Sequence, residues 1–135
     1  MTERIFPATD DALNSFLAFA EEELEKAECP MKAVISITVA LEEVFVNVAH
    51  YAYPDSTGNV NLSIDFDSES RQMTFQMSDS GIPFDPLAEP DPDITLSAEE
   101  RQIGGLGIFM MKMTMDDVNY AYTGGKNVLT MKKYI

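Results

Sequence analysis

Positive charge is scarce in this sequence. Nine Lys and Arg residues stand against 23 Asp and Glu, leaving a formal net charge of -14 at pH 7. A surface of that sign repels phosphate backbones and anionic headgroups, which argues against direct contact with nucleic acid or with a membrane. It favours encounter with a basic protein partner, although it also keeps a chain soluble with no partner at all. Cysteine is nearly absent too. The lone Cys29 excludes an intrachain disulfide, and no Cys/His spacing of the metal-binding kind surrounds it. A buried or half-buried thiol is expected there. Long apolar runs are also missing: residues 33–41 are interrupted by Ser36 and Thr38 and fall short of a bilayer-spanning length. The opening M-T-E-R-I-F-P has neither the charged start nor the apolar core of a secretory signal. Together these features predict a cytoplasmic protein.

What is present is enough for one ordinary domain. The chain has 135 residues, 45% of them hydrophobic and 24% charged, so it can bury a core without staples. Glu3 to Phe6 reads as a short strand stopped by Pro7, with Thr9 or Asp10 capping a helix that follows. Leu13, Phe16, Leu17, Ala20 and Leu24 recur at helical spacing, with a solvated acidic face at Glu21, Glu22, Glu23 and Glu25. Cys29-Pro30 breaks that helix, and Pro30 suits the first turn of a second one over residues 31–53. Residues 59–66 and 73–77 alternate apolar and polar, which predicts an antiparallel hairpin with one wet face. Residues 79–107 lose all periodicity to Pro, Gly, Asp and Ser, a length that marks a lid or a disordered segment. A helix from Ile108 to Met115 and a second hairpin around Gly124-Gly125 complete the order β-α-α-β-β-loop-α-β-β. Strands arriving as neighbouring hairpins predict a mostly antiparallel sheet with helices on one face, an α+β two-layer sandwich.

Three segments carry candidate chemistry. The second helix holds Glu43 and Asn47 four residues apart, one above the other on the same face of a helix that is otherwise nearly all apolar, with His50 further along. Polar groups in such a helix need partners or a cavity. An amide oxygen is a suitable ligand for Mg²⁺, and a carboxylate one turn earlier can deprotonate a nucleophile. Taken alone, E-x-x-x-N is common by chance. The second segment is Asp79-Ser80-Gly81-Ile82-Pro83-Phe84-Asp85-Pro86, directly after a strand. Its carboxylate can accept from an exocyclic amine, its glycine lets backbone pass close to a flat ring, and Phe84 with Pro86 can wall a pocket. A turn-rich loop explains the same residues. The third is Gly104-Gly105-Leu106-Gly107 before a helix, where exposed N–H groups and the helix dipole suit phosphate, or where a hinge lies.

In this order the three segments resemble the N box and the two glycine boxes of the GHKL ATPase superfamily, which includes gyrase, histidine kinases and MutL. Ala40-Leu41-Glu42-Glu43, Asn47, Ala52-Tyr53, the Asp79 loop, Gly105-Leu106-Gly107-Ile108 and Met115-Asp116 are similar to the anti-sigma factor serine kinases of the RsbW/SpoIIAB type. The resemblance covers essentially the whole chain. It implies that Glu43 is the general base and that Asn47 binds Mg²⁺. It implies that Asp79 contacts the adenine of ATP with Gly81 and Phe84 beside it, and that Gly104, Gly105, Leu106 and Gly107 hold the phosphates. Residues 87–103 would form an ATP lid, with Arg101 near the terminal phosphate, and Thr130 would help bind adenine through water. One position departs from the family: a histidine commonly stands four residues after the asparagine, where this chain has Tyr51.

The implied reaction is transfer of the ATP γ-phosphate to a serine or threonine of a STAS-domain antagonist, alongside sequestration of a sigma factor and dimerisation through the sheet side. The alternative is a module that binds ATP and a protein partner without catalysis. Tyr51 and the placing of Arg101 favour the module; the intact Glu43 favours the kinase.

Overall fold

A computed structural model describes residues 1–88 and 105–135 of the chain. Strand β1 (Thr2–Pro7) leads through a short 3-10 turn, Asp10–Ala12, into helix α1 (Leu13–Lys26). Helix α2 (Met31–Asn47) starts directly after Pro30, whose missing N–H costs nothing at a helix start. Strands β2 (Asn59–Asp67) and β3 (Gln72–Asp79) form the first hairpin, followed by a 3-10 turn at Pro86–Ala88. Helix α3 (Gly105–Thr114) and the hairpin β4 (Asp117–Thr123) and β5 (Lys126–Tyr134) complete the chain. The two glycines at the head of β5, Gly124 and Gly125, have φ of 60° and 76°, the left-handed geometry that a tight hairpin turn requires.

The five strands lie in the order β1-β2-β3-β5-β4, every neighbouring pair antiparallel. The expected α+β two-layer sandwich is the architecture observed. Alternation sets which side of each strand meets the helices: Val60, Leu62 and Ile64 on β2, Met73, Phe75 and Met77 on β3, and Leu129 and Met131 on β5 are all buried. Phe16 of α1 is the hub on the helix side, 4.5 Å from the ring of Phe45 and 5.4 Å edge-on from Phe6. Burying several such rings and branched side chains, each contributing about 1.5–3 kcal/mol, is what offsets the entropy of ordering the chain.

Residues Met31–Ala52 form a helical stretch of 22 residues, longer than the interrupted apolar run suggests and sufficient by length and composition to cross a membrane. One face of it is internal, with Ile37, Ala40, Leu41, Val44 and Phe45 in the core cluster shared by helices and sheet, while Met31, Ile35 and Val39 on the other are exposed. Cys29 is half-buried, as expected, between α1 and α2.

Candidate functional site

Helix α2 does not run on to Tyr53 as a regular helix. After Asn47 the five residues Val48–Ala52 wind into a wider π turn. Such turns are rare and concentrate at functional sites. The turn rotates everything beyond Asn47 relative to the Glu43–Asn47 stripe. His50 therefore leaves the stripe, is exposed, and its Nε2 meets Asp10 Oδ1 at 2.8 Å across the surface. Ala52, by contrast, turns inward and its carbonyl accepts from the Ile82 N–H at 2.9 Å. The Asp79 loop thus docks on the π turn. A Cβ at Gly81 would lie 2.3 Å from that same Ala52 oxygen, so glycine is required there by backbone approaching backbone. This corrects the reason expected for Gly81: the close approach is to Ala52, and Gly81 does not line the cleft described below.

Tyr53 secures the loop from the other side. Its hydroxyl donates to the Asn59 carbonyl at 2.7 Å and accepts from the Ser80 N–H at 2.9 Å. Burial pushes the Tyr53 phenol up from its ordinary range, so it stays protonated and able to donate.

Asp79, the last residue of β3, is only 8% exposed. Its Oδ1 accepts from the Gly81 N–H and from Asn127 Nδ2, each at 2.9 Å. Among the described residues its other oxygen accepts nothing. That oxygen belongs to a residue lining an open cleft between α2, the π turn and the β3–β5 end of the sheet. Val44, Val48, Met77 and Leu129 supply apolar walls, Phe84 and Tyr51 aromatic ones, and Asn47, Asp79 and Asn127 the polar points. A mostly apolar cleft with a few convergent polar groups is the usual form of a small-molecule site.

Asn47 lines this cleft, half-buried, and its side chain makes no hydrogen bond among the described residues. Its amide oxygen is therefore available to a cation. Among the described residues no three His, Cys, Asp or Glu side chains cluster to hold a metal. Such a donor set fits a Mg²⁺ that takes most of its oxygens from phosphate and water. Glu43 lies one helical turn before Asn47 and beside Val44, half-buried and without a hydrogen-bond partner among the described residues. Burial, reinforced by the neighbouring Glu42, pushes its carboxyl above the ordinary glutamate range. An unpaired, partly desolvated carboxylate one turn from a cleft-lining amide is a candidate proton acceptor.

Other expected residues fall elsewhere. Gly105, Leu106 and Gly107 form the first turn of α3 instead of a turn ahead of it, so the helix starts three residues earlier than its apolar spacing suggests. Their N–H groups are those a helix leaves unpaired at its start. Gly104, Arg101 and all but the first two residues of the expected lid at 87–103 lie outside the described residues. Thr130 is a correction. It sits on the open face of β5 and accepts from Gln76 Nε2 at 3.2 Å, on the side of the sheet away from the cleft. Successive strand residues point to opposite faces, and the cleft-facing set on β5 is Asn127 and Leu129. Asn127 is the residue that sequence reasoning missed. Its signal was parity: it is two residues before Leu129 and four before Met131, both apolar and both core-facing. Tyr120 of β4, whose hydroxyl donates to Asn127 Oδ1, was missed as well.

Comparison with known proteins accords with this geometry. The profile of the histidine kinase-like ATPase domain family matches residues 6–133. The serine-protein kinase RsbW of Listeria monocytogenes is 30% identical over 108 residues, covering 77% of this chain and 68% of its own. RsbW of Bacillus cereus is 29% identical over 101 residues, 72% of this chain and 61% of its own length. Among solved structures, one of the RsbU and RsbW domains of a Mycobacterium tuberculosis protein superposes with a TM-score of 0.65. That match is at 13% identity and covers 99% of this chain and 32% of the other.

Proposed function

This chain belongs to the histidine kinase-like ATPase family, in its RsbW-type serine-protein kinase branch, and from that premise we propose a specific use of the cleft. ATP lies in it with adenine against Asp79, between Phe84 and the apolar wall, and with its phosphates running past Asn47 toward the N-terminus of α3. The observation that carries this reading is the pair of polar groups one turn apart on α2. Both lack a partner within the described residues; Asn47 lines the same cleft as Asp79, and Glu43 lies one helical turn before it, next to the cleft-lining Val44.

Asn47 Oδ1 would hold a Mg²⁺, which would supply charge neutralisation to the transferred phosphoryl group. Glu43 takes the proton of an incoming serine or threonine hydroxyl. The hydroxyl oxygen bonds to the γ-phosphorus as the bond from that phosphorus to the bridging oxygen of ADP breaks. Burial raises the carboxyl pKa of Glu43, which makes its carboxylate a stronger proton acceptor. The acceptor hydroxyl belongs to a STAS-domain antagonist, and the same kinase sequesters a sigma factor. Its charge of -14 steers a basic face of such a partner toward it. A second copy of the chain across the open sheet face and a cytoplasmic setting belong to the same proposal.

The test is incubation with ATP labelled on the γ-phosphate and a candidate STAS-domain protein. Wild type transfers label to a serine or threonine; Glu43→Ala binds ATP and transfers none. Label transfer by Glu43→Ala at the wild-type rate would remove Glu43 from the chemistry. A wild type that binds ATP and the partner without transfer leaves the non-catalytic module as the function.

A further inference from the structure

We propose that Asn127 is the positioning residue that aims Asp79, and through it sets the cleft's preference for an amino-purine over an oxo-purine. The proposal rests on the ATP reading above and names a determinant of its specificity.

Asn127 and Asp79 are direct partners across the β3–β5 ladder, on the buried face of the sheet. Asn127 is 6% exposed, so its amide must find partners in the protein. It finds four. The Nδ2 group donates to Asp79 Oδ1 at 2.9 Å and to the Ile82 carbonyl at 2.8 Å. Its Oδ1 accepts from the Phe84 N–H at 3.0 Å and from the Tyr120 hydroxyl. Only one orientation of the amide satisfies this set. A carboxylate and a carbonyl accept only and must face the NH₂, whereas a backbone N–H must face the oxygen.

With both donors and both lone pairs of Asn127 engaged, no hydrogen-bonding capacity remains for a ligand. Asn127 therefore does not read the base itself. It ties together three points of one loop, Asp79, Ile82 and Phe84, and occupies one chosen oxygen of Asp79. The Gly81 N–H on that same Oδ1 completes the choice. The other oxygen is left as the acceptor that a ligand meets. A carboxylate oxygen held in that way accepts from an exocyclic amine and repels a carbonyl oxygen at the same ring position. No smaller or apolar residue reproduces the four bonds. Thr has one donor, Leu has none, and Asp would set an acceptor against the acceptor of Asp79.

The experiment is calorimetric titration of ATP and of inosine triphosphate, in which a carbonyl replaces the 6-amine, into wild type, Asn127→Leu and Asn127→Asp. Wild type is expected to favour ATP by about tenfold or more. In Asn127→Leu the ratio of ATP affinity to inosine triphosphate affinity falls to about one, and far-ultraviolet circular dichroism checks that the variant is folded. Asn127→Asp, nearly the same size, collapses the ratio in the same way and carries the test if the Leu variant does not fold. A wild-type ratio retained in the folded variants, or an equal loss for both nucleotides, overturns the proposal. A wild type that binds neither nucleotide, or both equally, fails earlier and strikes the adenine reading itself.

Discussion

The β2–β3 hairpin has two ends, and they are finished differently. At the turn end, Asp67 Oδ1 accepts from the Glu69 N–H at 3.0 Å, and Arg71 closes the structure. Its Nε donates to the Ile135 carbonyl at 3.2 Å and its Nη2 to the Ala27 carbonyl at 3.1 Å, while the guanidinium lies 5.3 Å from the Phe66 ring centre. One side chain there joins the end of α1, the hairpin turn and the end of β5. At the other end, the Asp79 loop is held at least as firmly, by Tyr53, Ala52 and Asn127. The difference lies in what is left over. Arg71 spends its donors on protein carbonyls. At the cleft, one oxygen of Asp79 and the side chain of Asn47 find no partner among the described residues, nor does Glu43 one helical turn away. The candidate site is therefore not a loose region. It is a rigid one whose hydrogen bonding is deliberately incomplete on the side facing a cavity, which is what preorganisation requires.

Removing groups at each end separates holding from binding. The largest effect is expected from Glu43→Gln in phosphoryl transfer: a fall of about 10²–10⁴-fold in rate with ATP binding kept, measured by label transfer under single-turnover conditions. Next comes Asp79→Asn, which turns an acceptor toward a donor. It is expected to abolish the rise in melting temperature that Mg-ATP gives wild type, a rise corresponding to about 2.7 kcal/mol at a ligand concentration 100 times Kd. Arg71→Ala at the opposite end is expected to lower stability by about 1–2 kcal/mol in urea melts and leave the ATP-dependent rise intact. If Arg71→Ala removed that rise, the two ends would not be separable.

The smallest effect concerns Glu43 and pH. Its carboxyl is raised in the folded state by burial, so ionising it costs stability. That cost is absent below the unfolded glutamate value of about 4.3 and is complete above the raised folded value. Glu43→Gln should therefore melt slightly higher than wild type near neutral pH, by less than about 1 kcal/mol given its partial exposure, with the difference vanishing in acid.

Much of this was legible in the residues. Alternation in β2 and β3 revealed both strands and their wet face, and Pro30 marked where α2 begins. Glu43 and Asn47 were visible because carboxylate and amide in an apolar helix demand an explanation. The π turn was not visible, because an i→i+5 closure leaves no mark on a run as uniformly apolar as Val48-Ala49 and Ala52. Without it, His50 appeared to extend the stripe, and the docking of Gly81 on Ala52 could not be foreseen. Asn127 was hidden for a different reason. It lies two residues after Gly125, where an Asn reads as turn chemistry. Thr130 was put forward by resemblance alone, and it lies an odd step from Asn127, which in a strand moves a side chain to the opposite face.

The most direct measurement is the amide spectrum of isotopically labelled protein as Mg-ATP is added. The account predicts perturbation concentrated at Asn47, Gly81, Ile82, Phe84 and Asn127, with the amides around Ala27, Arg71 and Ile135 unmoved. No saturable change at the first group, or changes centred on the second, would contradict it.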